Sequence, residues 1–185
     1  MKKRLFPVVL LALVFIFSCT TPKFVTSEEN YPKVNLGINL NGIIIEDLRQ
    51  NVSLSDDLEI PVLSRKGQYD IAIPPLKNSH KNAIRETILY NLSSKSSKLG
   101  VMKVQILKAR KEFAANSGGE KETSFIELAI IINIKGKETT ILESGEFYKK
   151  SIDATYKRSE RIYTNALKEV TYRALQKLKE NIESK

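Results

Sequence analysis

Cysteine and histidine are nearly missing from this 185-residue chain, which has one of each, Cys19 and His80. A single cysteine excludes any disulfide within the chain, so the fold must be held by its core alone. A single histidine cannot build a His-paired metal centre. No Walker sequence and no Gly-x-Gly-x-x-Gly occurs, which removes the common phosphate cradles. No serine stands in a Gly-x-Ser-x-Gly elbow, and none is followed by lysine three positions on. Two carboxylate pairs, Glu28-Glu29 and Asp56-Asp57, are adjacent in polar stretches. Such neighbours face solvent, whereas a glycosidase needs its two carboxylates on opposite sides of a cleft. The expectation is a non-enzymatic protein with no metal and no cofactor.

What is present begins at the amino terminus. Lys2, Lys3 and Arg4 precede an apolar run from Leu5 to Phe17, interrupted only by Pro7, and Ser18 then meets Cys19. This is the layout of a secretory signal peptide. The run falls short of the ~20 apolar residues that a bilayer-spanning helix needs. Ile16-Phe17-Ser18-Cys19 resembles the lipobox of bacterial lipoproteins, with bulky Phe17 departing from its small-residue preference. The resemblance implies cleavage between Ser18 and Cys19 by signal peptidase II, and fatty acyl chains such as palmitate on the Cys19 sulfur. Each buried methylene contributes ~0.8 kcal/mol, and two or three chains anchor stably where one does not. An ordinary cleaved signal would instead leave Cys19 as a free thiol, an odd feature in a secreted protein. Thr20 is not the aspartate that marks inner-membrane retention in some bacteria, which points to the outer membrane.

Cleavage after Ser18 leaves 167 residues, a length suited to one core. It also removes three basic residues, leaving 27 against 21 acidic ones, and the formal charge falls from +9 to +6. A mildly cationic surface suits anionic headgroups, and equally suits plain solvation. The chain therefore divides into a signal peptide over 1–18, a lipidated tether over 19–33 and a single α+β domain over 34–185.

Within that domain, Val34, Leu36, Ile38 and Leu40 alternate with polar residues, and Asn41-Gly42 separates them from Ile43-Ile44-Ile45. An Asn-Gly pair between apolar runs predicts a hairpin. Leu58 to Leu63 reads as a short edge strand because of Pro61, and Tyr69, Ile71 and Ile73 as the apolar face of another, stopped by Pro74-Pro75. A helix capped by Asn78 or Ser79 carries Ile84, Ile88, Leu89 and Leu92 on one side, frays at the serines of 93–98 and ends at Gly100. Three strands follow as a meander. The first, Val101 to Phe113, buries Met102, Val104 and Ile106. Gly118-Gly119 forms a hairpin tip. The second, Phe125 to Ile134, is apolar enough to be central, and Lys135-Gly136-Lys137 turns into the third, Thr139 to Tyr148. A long helix over about 155 to 182 places Ile162, Tyr163, Ala166, Leu167, Val170, Ala174 and Leu178 on one arc, with Lys157, Arg158, Arg161, Lys168 and Lys179 opposite.

This order predicts an antiparallel sheet with both amphipathic helices packed on one face. Together with Ile16–Cys19, the element order over about 69–182 resembles small periplasmic lipoproteins of Gram-negative cells: the YajG-like group, the LptE-like lipopolysaccharide-assembly lipoproteins and the transport-auxiliary lipoproteins. That resemblance implies an accessory role beside an envelope protein partner, and carries over no residue but Cys19. The same anchor would equally serve a surface-exposed lipoprotein that binds an extracellular ligand. Phe147 to Arg161 mixes aromatic and basic residues, as nucleic-acid proteins do, but an envelope protein meets no nucleic acid. His80, near a helix start, reads as a solvated residue. Tyr172 and Leu175 lie on the polar side of the last helix and form a candidate partner patch.

Overall fold

The computed structural model describes residues 23–24, 31–53, 58, 60–61, 63–92 and 99–184. The expected signal peptide over 1–18, Cys19, both acidic pairs and the serine run at 93–98 lie outside them. The elements in chain order are β1 Lys23–Phe24, β2 Asn39–Asp47, β3 Tyr69–Ala72, α1 Asn78–Tyr90, β4 Leu99–Asn116, β5 Gly119–Ile134, β6 Lys137–Ser151 and α2 Tyr156–Glu183. The class is α+β, and β4, β5 and β6 form the expected antiparallel meander with β5 in its middle.

The sheet as a whole is mixed rather than antiparallel. Its order is β1-β6-β5-β4-β2, with β3 also on β4, and both β2 on β4 and β1 on β6 run parallel. Antiparallel neighbours need only a tight turn, whereas parallel ones need a long crossover. The stretch between β2 and β4, which includes β3 and α1, supplies that crossover.

The predicted Asn41-Gly42 hairpin does not form. Residues 39–47 make one strand, and the register against β4 slips between Leu40 and Gly42, so Asn41 is the extra residue of a bulge. The ladder to β4, from Asn39–Leu99 to Asp47–Ile106, outcompetes a local hairpin. Val34, Leu36 and Ile38 still enter the core, but from a segment that is not a strand. Asn35 and Gly37 take φ of 51° and 63° there. Asn91, after the end of α1, holds this segment: its side-chain oxygen accepts from Val34 N–H at 2.7 Å and its carbonyl from Leu36 N–H at 3.0 Å.

Four smaller expectations are corrected. No described residue of 58–63 is in a strand. β3 buries Ala72 and leaves Tyr69 and Ile71 exposed, the reverse of the predicted face. Gly100 does not end a helix but lies in β4, where an added Cβ would sit 3.0 Å from the Asn133 carbonyl oxygen. The helix α1 itself begins at Asn78, so Lys77 rather than Asn78 or Ser79 is its N-cap.

Both helices cover one face of the sheet. Ile84 and Ile88 of α1 and the arc of α2 from Ile162 to Leu178 share one core with Met102, Val104 and Ile106 of β4 and Ile126, Leu128, Ile130 and Ile132 of β5; α2 lies along β5 and β6, and α1 packs against α2. Burying each such side chain stabilises the fold by about 1.5–3 kcal/mol. A second, smaller cluster of Leu58, Ala72, Phe113 and Ala115 lies where β3 joins β4. Lys135 and Gly136 take φ of 52° and 81°, the two positive values of a type I′ turn between β5 and β6.

Candidate functional site

The polar centre of the molecule arises from one irregularity in β4. The register of β4 against β5 slips between Ile106 and Lys108, so Leu107 is an extra residue. Before it the even-numbered residues face the helices; after it Ala109, Lys111 and Phe113 do. The bulge therefore turns Lys111 inward, where it is fully buried. A buried ammonium requires a counter-charge.

Glu160 supplies it from the first turns of α2. Its Oε2 accepts from Lys111 Nζ at 2.5 Å, and its Oε1 from His80 Nε2 at 2.7 Å. Lys77 Nζ lies 3.5 Å from the same Oε1. His80, read as solvated, is completely buried. Its position in α1 explains this: Nδ1 accepts the Lys77 backbone N–H at 3.2 Å, which closes the helix start and leaves the proton on Nε2 for Glu160. The imidazole edge meets the Tyr163 ring at 4.9 Å, and Lys111 Nζ stands 5.2 Å from the same ring's centre.

Arg49 completes the cluster. Its guanidinium grips Asp47 through two bonds of 2.7 Å, and donates to Tyr163 Oη at 3.3 Å and to the Ala109 carbonyl at 3.1 Å. Along that edge of β4, the β2 pairing ends at Ile106 and the β3 pairing begins at Lys111. Arg49 thus satisfies a carbonyl in the gap between two strands.

The electrostatics follow from burial and pairing. Burial, reinforced by the Lys111 and Lys77 charges, pushes His80 below its ordinary value despite Glu160. Burial alone would raise Glu160, but Lys111 and His80 together outweigh it and hold the carboxyl low. Burial works against Asp47 in the same way, and Arg49 overrides it. Tyr163 is pushed up to about 12, chiefly by burial. Lys111 and Glu160 are thus a desolvated ion pair beside a neutral imidazole and a neutral phenol. These groups spend their hydrogen bonds on one another and tie β2, β4, α1 and α2 together. Glu160 also reaches outward: its side chain is 24% exposed and borders a groove of about 510 Å³ with Asp153, Arg158, Arg161 and Thr164.

A buried carboxylate outside this cluster, Glu122 of β5, accepts from Arg158 Nε at 2.6 Å, while the same guanidinium reaches Ser151 Oγ at 2.7 Å and Asp153 Oδ1 at 3.0 Å. Burial raises Glu122 in spite of that partner. Among the described residues, no group of three or more His, Asp or Glu is placed to hold a metal ion.

The candidate patch on α2 is overturned. Leu175 is fully buried and Tyr172 nearly so. Tyr172 stacks on Tyr31 at 4.6 Å between ring centres, and its hydroxyl donates to the Pro32 carbonyl at 3.0 Å. The segment before β2 thus covers the side of α2 that looked polar. Ser18 and Cys19 lie outside the described residues. Lys111, Glu160 and Arg49 carried no sequence signal, because alternation places Lys111 on the outer face unless the Leu107 bulge is known.

No family model matches the chain, and no curated protein matches it. Among solved structures it is similar to a minor lipoprotein from Acinetobacter baumannii (9% identity, 77% of this chain and 90% of that one, TM-score 0.34). It is also similar to a DUF330-family protein from Xanthomonas campestris (12% identity, 89% and 96%, TM-score 0.39). A third similar structure is rare lipoprotein B from Shewanella oneidensis (11% identity, 78% and 95%, TM-score 0.33).

Proposed function

We propose that this chain is a lipid-anchored, non-catalytic accessory module of the bacterial cell envelope, held at the outer membrane through Cys19 and working beside an envelope protein in assembly or transport. The observation that carries this reading is the basic n-region, apolar run and Ser18-Cys19 pair at the amino terminus. The interior supports it. Of the groups best suited to acid–base work, His80, Lys111 and Tyr163 are buried, and His80 and Lys111 are engaged with Glu160. A general base must reach a substrate proton, and these groups face one another instead.

The experiment has two parts. The amino-terminal peptide of the protein purified from its native membrane should begin at Cys19 and carry the mass of diacylglyceryl with or without a third acyl chain. A Cys19→Ala variant should then leave the detergent phase. Crosslinking in intact cells should recover one reproducible envelope protein. An unmodified Cys19 thiol defeats the anchor, and recovery of bulk protein alone defeats the accessory role.

A further inference from the structure

The face of the sheet turned away from the helices is bare: among the described residues no helix or strand lies on it. Alternation sets Ile44, Val101 and Leu142 on this face, 47%, 44% and 58% exposed. Tyr69 and Ile71 of β3 stand exposed on the same face, beside Ala114 and Glu112. Half-buried Ile131 and Phe125 of β5 lie between the two groups. Large apolar side chains gathered on one uncovered face mark an interaction surface.

The charges on this face cancel. Glu46 reaches Lys103 at 3.3 Å, and Glu127 reaches Lys108 at 3.0 Å. Glu112 reaches Arg110 at 2.5 Å, and Glu146 reaches Lys121 at 3.9 Å. Two further charges of opposite sign stand toward the two ends of β6, Glu138 and Lys150. Five cations thus balance five carboxylates, while the whole chain carries +9. Copies of a cationic chain repel each other through the rest of their surface, and this face escapes that repulsion.

The rows across the sheet are also self-complementary about Ser144 of β6. Four residues before it, Thr140 lies in a row with Ile131, Lys103 and Ile44; four residues after it, Tyr148 lies in a row with Thr123, Glu112 and Ile71. Two residues before it, Leu142 sits beside Ala129; two residues after it, Glu146 sits beside Phe125. Six residues either way stand Glu138 and Lys150. A two-fold axis at Ser144, lying between two such faces and across the strands, lays each row on its counterpart. Ile44 then meets Ile71 of the second copy, Lys103 meets Glu112, the small Ala129 receives the Phe125 ring, and Glu138 faces Lys150. Packed sheets are rotated by about 30°, so the rows nearest Ser144 meet most closely. The matched face measures about 40 Å by about 15 Å, roughly 600 Å² in plan, and pleated side chains expose more than their plan. A stable pair needs about 800 Å² from each side.

We propose that this bare face binds a second copy of the chain, sheet against sheet, with the strands of the two copies antiparallel about a two-fold axis at Ser144. The pairing depends neither on the Cys19 anchor nor on the envelope role.

The protein is purified from its native membrane in detergent, with micelles in large excess over protein. Sedimentation should find a dimer at micromolar concentration that persists as more micelles are added. Leu142→Glu sets a carboxylate over Glu146 of the second copy and should weaken the dimer by about tenfold or more. Glu138 and Lys150 are both exposed, so exchanging them spares the fold. Glu138→Lys should weaken the dimer about threefold at low salt, and Lys150→Glu in the same chain should restore it. Packed sheets stand about 10 Å apart, too far for a direct disulfide. Ser144→Cys is therefore joined by a short bis-maleimide, and should give a covalent dimer that the parent, with Cys19 alone, does not. A monomer throughout overturns the proposal, as does a dimer that excess micelles disperse. A dimer that Leu142→Glu leaves intact and Ser144→Cys cannot join overturns this face as the interface. An added envelope protein joined at Ser144→Cys in place of the second copy overturns it too.

Discussion

Lys111 Nζ and Glu160 Oε2 lie 2.5 Å apart, joining the middle of β4 to the first turns of α2. Neither charge was placed there by alternation or helical period; the bulge at Leu107 turned one inward and the cap at Thr155 set the phase of the other. The ammonium is fully buried, so its worth lies in what its absence would leave behind.

Glu160→Gln removes the counter-charge and strands a buried ammonium. Breaking one side of a buried pair costs about 3–5 kcal/mol, and the partial exposure of Glu160 puts this site at the lower end, about 3 kcal/mol. Lys111→Met with Glu160→Met replaces both charges by apolar volume and should recover most of that loss. Urea unfolding of both variants checks this; a Glu160→Gln cost below about 1 kcal/mol would show that the pair is not desolvated.

His80 is the only histidine, so histidine-linked pH dependence has a single source. Its folded value lies below 6.5. As pH falls from 6.5, the unfolded chain takes up a proton that the folded protein refuses, and stability must decline until the folded value is reached. Glu160, also depressed, loses its contribution further down, as pH falls below 4.5. The measurement is unfolding free energy between pH 8 and pH 5. His80→Gln should flatten the slope just below pH 6.5; an unchanged slope removes His80 as its cause.

At the alkaline end the sign reverses. Tyr163 keeps its proton up to about pH 12 while an unfolded tyrosine loses it near 10. Stability should therefore fall as pH rises above 10. Ultraviolet titration should find the latest of the seven tyrosines near pH 12, and that last step should be absent in Tyr163→Phe.

Leu175→Ala distinguishes a surface patch from a core position. An exposed leucine would cost under about 0.5 kcal/mol, whereas a fully buried one costs about 2–5 kcal/mol. The larger figure is expected, read from thermal or urea unfolding.

Gly145→Ala tests the packing of α2 on β6. An added Cβ would fall 2.5 Å from Arg173 Nη2 and 2.7 Å from Phe147 Cε2. Arg173 can swing away, at the expense of its contact with Glu143 at 3.1 Å, but the buried Phe147 ring must shift. A loss of about 1–3 kcal/mol is expected; a neutral result would contradict this contact.

Much of the architecture was legible locally. The even-numbered apolar run of β5, the Lys135-Gly136 turn and the arc from Ile162 to Leu178 each depend on residues within one element. The hairpin at Asn41-Gly42 was a sound local reading that failed because β4, some sixty residues on, offered Ile43–Ile45 a longer ladder. His80 was misread because its burial depends on Tyr163 and Glu160 from the other helix.

By itself the sequence determined the basic and apolar amino terminus ending at a lone cysteine, the α+β class and the apolar faces of β5 and of α2 from Ile162 to Leu178, since all three are periodic or contiguous properties of the chain. Tertiary structure alone decided that β1 and β2 run parallel to their neighbours, that Lys111 turns inward to Glu160, and that Tyr172 and Leu175 are covered. Each of those depends on free energy shared between distant segments, and a one-residue slip at Leu107 reverses which face is buried without any local mark.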